Sequence, residues 1–119
     1  MKTILLLASI EMCSEFQYVL SEEYNILTCF DPVAGAAMLS RKPDALILTM
    51  SLPGSSGLDF LIHNKASLPP VVIALTPFIN NALLAKLNQL NVDAAFLIPC
   101  SMSRLKEKLS NLLTKKSPS

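Results

Sequence analysis

The stretch Ala45-Leu46-Ile47-Leu48-Thr49-Met50-Ser51-Leu52-Pro53-Gly54-Ser55-Ser56-Gly57-Leu58-Asp59-Phe60-Leu61-Ile62 decides the fold. Ala45 to Met50 is a nearly unbroken apolar run of β-strand length, as expected for a strand covered on both faces. Pro53, Gly54 and Gly57 mark a loop, after which Leu58, Leu61 and Ile62 recur on one side of a helix.

The same strand-then-helix unit extends in both directions. Upstream, Ile4 to Ala8 is a strand and Met12, Phe16, Val19 and Leu20 mark a helix. Tyr24 to Phe30 returns to β-favouring residues, and Asp31-Pro32 starts a helix carrying Val33, Ala36 and Ala37. Downstream, Val71 to Leu75 follows Pro69-Pro70, and Leu83, Leu84, Leu87 and Leu90 form the stripe of a fourth helix. Ala94 to Ile98 is a fifth strand, and Leu105, Leu109, Leu112 and Leu113 mark the last helix. Five such units predict an α/β fold: a doubly wound parallel sheet with helices on both faces, a three-layer α/β/α arrangement. Its working site lies beyond the carboxyl ends of the strands. The residues there are Ala8-Ser9-Ile10, Thr49-Met50, Thr76 and Ile98-Pro99.

Composition narrows the function. The chain has 119 residues, enough for one core, assigned here to residues 1–113 with 114–119 as a tail or the start of a linker. It is 51% hydrophobic and only 16% charged, with a net charge of +1. A typical charged share is about 25%, and neither a disordered chain nor a domain-wide nucleic-acid footprint fits. The Met1-Lys2-Thr3 start and its apolar run are too short, and lack the small residues, for a signal peptide. No apolar stretch reaches the roughly 20 residues of a membrane span. Cys13, Cys29 and Cys100, without CxxC spacing, read as reduced and mostly buried thiols, hence a cytoplasmic location.

The stretch from Pro43 to Leu61, above all its Leu52-Pro53-Gly54-Ser55-Ser56-Gly57 loop, resembles the receiver domains of bacterial two-component response regulators. So do Val71 to Thr76 and the Ile98-Pro99-Cys100-Ser101 junction, and the likeness spans roughly residues 2–113. It implies the flavodoxin-like strand order 2-1-3-4-5. It also implies a chemistry, phosphoryl transfer to an aspartate at the end of the third strand. That chemistry uses two acids holding Mg²⁺ after the first strand, a Ser/Thr after the fourth and a Lys before the proline. Position by position, the acids fall on Ala8 and Ser9, the phosphoacceptor on Thr49 and the lysine on Ile98. Only Thr76 keeps its residue type. A hard cation wants carboxylate oxygens, and a threonine hydroxyl does not attack without a base. The expectation is therefore a degenerate receiver, not an enzyme, with no catalytic residue, no metal site, no cofactor and no Mg²⁺. The family's aromatic switch position falls on Ala95 without a gap or on Phe96 with a one-residue gap.

The remaining function is expected on the fourth helix, fifth strand and fifth helix, which receiver domains commonly use to dimerise or bind partners. From Phe78 to Leu90 the only charge is Lys86. Phe78 and Ile79, placed at the helix start, with Asn80 and Asn81, leave apolar and amide groups where charges are usual, as in an interface core. A competing role for Phe78 and Ile79 is to cap the neutral pocket. His63 and the lysines 106, 108, 115 and 116 read as solvated surface. The expected function is a phosphorylation-independent signalling module that binds a protein partner or itself, without membrane contact, and touches nucleic acid only through an output domain after Ser119. A stand-alone adaptor fits the sequence equally. The rival is a flavodoxin-like small-molecule sensor or enzyme using Ser9, Thr49 and Thr76 as neutral donors.

Overall fold

The computed structural model describes residues 1–52 and 54–116. Strands β1 (Thr3–Leu7), β2 (Asn25–Cys29), β3 (Ala45–Thr49), β4 (Val71–Thr76) and β5 (Ala94–Leu97) form one sheet. It is parallel throughout and ordered β2-β1-β3-β4-β5, the order expected. Helices α1 (Ile10–Leu20), α2 (Pro32–Leu39), α3 (Gly57–His63), α4 (Asn81–Gln89) and α5 (Met102–Lys116) alternate with the strands. The loop ahead of α3 folds into a small antiparallel ribbon, Ser51–Leu52 against Ser55–Ser56.

Alternation along the central strands divides the core. Ile4, Leu6, Ile47, Ile73 and Leu75 face α1 and α5, meeting Phe16, Leu20, Leu105 and Leu109. Leu5, Leu7, Leu46, Leu48 and Val72 face the other way, onto Leu39, Phe60, Leu61 and Leu87 of α2, α3 and α4. Burial of both faces explains the unbroken apolar runs. Four helices start as their caps dictate: the side chains of Ser9, Asp31, Ser56 and Asn80 each accept from a backbone N–H three residues on.

Several stripes differ from the sequence reading. In α2 the buried residues are Gly35 and Leu39, while Val33, Ala36 and Ala37 are exposed. In α3, Phe60 and Leu61 are buried and Ile62 is exposed. In α4, Leu87 is buried, Leu83 and Leu90 are half-buried and Leu84 is exposed. Helix α5 continues through Thr114, Lys115 and Lys116, residues read as tail, while 117–119 lie outside the described residues. Two of the lysines read as free surface are engaged. Lys106 pairs with Glu23 at 3.0 Å, and Lys116 pairs with Asp93 while donating to the Pro70 carbonyl at 3.1 Å.

The amino-terminal edge of the sheet is closed by two acids used in the same way. The Asp44 carboxylate accepts from Thr3 N–H at 2.7 Å while Asp44 N–H donates back to the Thr3 carbonyl at 2.8 Å. Asp93 repeats the clasp on Val72, at 2.9 and 2.8 Å. Losing a charged acceptor from a half-buried N–H costs more than losing a neutral one. Asp44→Ala and Asp93→Ala are each expected to lower unfolding stability by about 1–3 kcal/mol, read from urea midpoints.

Candidate functional site

Parallel registers bring the residues singled out at the carboxyl end of the sheet together. Leu7 pairs with Leu48 and Thr49 with Leu75, so the ends of β1, β3 and β4 lie side by side. Ile98 N–H donates to the Thr76 carbonyl at 2.9 Å, which places the β5–α5 junction beside them. Ala8, Ser9, Thr49, Thr76 and Ile98 thus share one end of the fold.

Each hydroxyl there is engaged in its own turn. Ser9 is the N-cap of α1, its Oγ accepting from Met12 N–H at 3.2 Å. Thr49, only 5% exposed, accepts from Ser51 N–H at 3.3 Å. Fully buried Thr76 donates to the Phe78 carbonyl at 2.8 Å and accepts from Phe78 N–H at 3.4 Å. Ile98, ahead of a cis peptide bond to Pro99, packs half-buried on the α1/α5 core. Buried Ala8 offers no side-chain oxygen, and Glu11 is exposed on α1. As a magnesium site this donor set does not fit, because the ion needs several oxygen ligands, carboxylates foremost. Among the described residues no three His, Cys, Asp or Glu side chains are grouped to hold a metal.

Between the β3–α3 and β4–α4 loops lies a cavity of about 350 Å³, lined by Met50, Ser56, Leu58, Thr76, Phe78 and Leu83 among others. Phe78 lines this cavity and is still 60% exposed, so it borders the neutral pocket and faces solvent together. It does not start the helix as expected. Phe78 and Ile79 belong to the loop ahead of α4, and Asn80, the N-cap, uses its side chain on Leu83 N–H at 2.8 Å. Asn80 is thus a structural cap; Asn81 and Lys86 remain exposed on the helix.

The register of β4 with β5 separates the two candidates for the switch position. Ala74 pairs with Ala95 and both face α4, whereas Leu75 pairs with Phe96 and both face α5. Thr76 lies two residues beyond Ala74 and so shares its side of the sheet, the side of Ala95 rather than Phe96. No aromatic ring of β5 therefore stands on the Thr76 side. Beside Ala95 a cleft of about 280 Å³ opens between α4 and β5, lined by Leu84, Leu87, Asn88, Val92 and Ala95. Ile79, expected on this face, is 39% exposed, and Leu84 and Leu97 add to it at 42% and 52%; reading all the α4 leucines as core misses Leu84.

Known proteins of similar structure fit this geometry. The signal receiver domain of a Vibrio parahaemolyticus protein described as a Luxo repressor superposes with a TM-score of 0.88 at 25% identity, over 97% of this chain and 92% of its own. The chain has the receiver fold. A receiver domain protein of the CheY-like type from Methanospirillum hungatei JF-1 gives 0.90 at 18% identity, over 98% and 96% of the two chains. A Staphylococcus aureus protein described as a DNA-binding response regulator of the LuxR family gives 0.84 at 20%, over 95% and 99%. No family model and no curated protein matches the chain. No helix among the described residues is long and apolar enough to cross a membrane.

Cys13 and Cys29 are buried and Cys100 is half-buried, all with free thiols. Burial pushes the Cys29 thiol up to about 12, with the neighbouring Cys13 and Asp31 adding to it. Burial likewise raises Cys13, against a hydrogen bond at the Ala8 backbone. Such thiols stay protonated and unreactive. His63 is exposed, its Nδ1 2.7 Å from the Asp59 carbonyl of its own helix.

Proposed function

We propose that this chain is a phosphorylation-independent receiver-like module, not an enzyme, that acts in signal transduction by binding a protein partner or a second copy of itself through α4, β5 and α5. The observation that carries the first half is the neutral pocket: the hydroxyls of Ser9, Thr49 and Thr76 each serve a local turn, and no carboxylate or lysine occupies the positions that receiver chemistry requires. The second half rests on exposed Phe78, Ile79, Leu84 and Leu97, with Lys86 the lone charge of α4. An α4–β5 surface low in charge and apolar at its centre, bordered by the charged helix α5, suits a protein contact. Contact with nucleic acid belongs, on this reading, to an output domain, in keeping with the DNA-binding description of the Staphylococcus aureus protein.

Incubation with Mg²⁺ and a small-molecule phosphodonor is expected to leave the intact mass unchanged, and millimolar Mg²⁺ to leave the melting temperature where matched ionic strength leaves it. A phosphoryl increment on a peptide containing Thr49 overturns the proposal. For the interaction face, sedimentation of the wild type is expected to show concentration-dependent association that the double variant Leu84→Glu/Leu97→Glu removes. Association unaffected by those charges would move the contact elsewhere on the surface.

A further inference from the structure

On the α1 side of the sheet, next to Ile98, lies another cavity, about 340 Å³ in volume. Its walls include Met12, Glu15 and Phe16 of α1, and Ile98, Cys100 and Met102 from the β5–α5 junction and the start of α5. Three of the eight sulfur-containing residues of the chain therefore line one cavity, brought together from positions some 90 apart in sequence. Met12, Cys100 and Met102 are all half-buried and pack against the core cluster, so none is merely a solvated side chain.

We propose that this cavity is a soft-metal site that binds one Cu(I) through the Cys100 sulfur and the thioethers of Met12 and Met102. Thioethers are poor ligands for hard cations and good ones for Cu(I), and a thiolate with two thioethers lacks the fourth strong donor that zinc favours. Phe16 and Ile98 supply apolar walls that limit competition from water. Ile98 also matters by its neutrality, since a lysine there would oppose a cation. Glu15 acts in the opposite sense. Its carboxylate belongs to a residue of the same cavity lining, and a negative charge there attracts a monovalent cation. On binding, the Cys100 S–H bond breaks, its proton leaves to solvent and an S–Cu bond forms, with copper remaining Cu(I) throughout.

Anaerobic titration of the full chain with Cu(I) against a chromophoric Cu(I) chelator is expected to give one ion per chain. Removing a group behind a metal ligand typically costs roughly 10–100-fold in affinity, and losing a ligand costs no less. Cys100→Ser is expected to weaken binding by about 100-fold, and Met12→Leu and Met102→Leu by about tenfold each. Leu nearly conserves the volume of Met, so these variants keep the fold. Loss on Cys100→Ser with no effect of either methionine change overturns the proposal, since it describes capture by a thiol alone. A second readout does not depend on variants. With redox-inert Ag(I), the ε-methyl NMR signals of Met12 and Met102 are expected to shift while those of Met38 and Met50 stay. Unmoved Met12 and Met102 signals overturn it as well.

Discussion

Thr49→Asp is expected to destabilise the chain by about 3 kcal/mol at pH 7 and to leave it nearly wild-type in stability below about pH 4. The new carboxyl would occupy a position 5% exposed, with Ile98 where a lysine would have compensated it. The hydrogen bond at Thr49 survives, because a carboxyl oxygen accepts from Ser51 N–H as the hydroxyl does. What changes is the charge. Burial without a partner raises the folded-state pKa above the unfolded value of about 3.9, at about 1.4 kcal/mol for each unit. The native state then binds more protons than the unfolded one above that value. Stability is therefore intact at low pH and falls as the pH rises from the unfolded towards the folded pKa. Urea midpoints at pH 4 and 7, referred to the wild type, measure the effect. Adding Ile98→Lys is expected to restore part of it. A variant as stable as the wild type at pH 7 would mean that water or a cation reaches Thr49, and the neutral pocket would not be closed.

Gly57→Ala is expected to cost about 3 kcal/mol, for a steric rather than an electrostatic reason. A Cβ on Gly57 would lie 2.5 Å from the Thr49 carbonyl oxygen, 2.6 Å from Met50 Cε and 2.9 Å from Met50 Cα. The Met50 methyl can swing away, but the other two atoms are backbone. Gly57 N–H also donates to the Met50 carbonyl at 2.9 Å, so withdrawing the helix start breaks that bond. Gly54 makes a useful contrast. Its φ is +67° and a Cβ there meets nothing within 4 Å, so Gly54→Ala is expected to cost only about 1 kcal/mol of backbone strain. Denaturation midpoints of the two variants should separate clearly. Equal losses would mean that the β3–α3 junction yields more readily than its contacts indicate.

The strands of this fold were legible because the three central ones are buried on both faces, the half-buried edge strands still carry β-favouring residues, and Pro, Gly or a cap punctuates the chain between them. Asp31-Pro32 located a helix start to the residue. The helix faces were less legible, for different reasons in different places. Helix α2 is apolar nearly all round, so periodicity could not choose between Val33, Ala36, Ala37 and the pair that is buried, Gly35 and Leu39. The available clue was Gly35 itself: a Cβ there would lie 3.0 Å from both Leu7 and Phe60 side chains, marking a close approach. Three leucines of α4 and a fourth at its C-cap, Leu90, invited assignment of all of them to the core, yet the short helix buries only Leu87 completely. Asn80 could have been recognised as the cap that leaves Phe78 and Ile79 in the loop. For the pocket, residue types alone said what was missing. That the surviving hydroxyls are turned into their own loops is a matter of rotamers and carries no mark in the sequence.

The orientation of the Thr76 hydroxyl reaches beyond the pocket. Donating to and accepting from Phe78 of the same chain segment, it fixes the approach to α4 without reference to β3 or α1. On the proposed function, the α4 surface then has a single resting form and no modification that would convert it. A module of that kind conveys information by how much of it is present, so its output would be set by synthesis and turnover, and its partner would respond to dose.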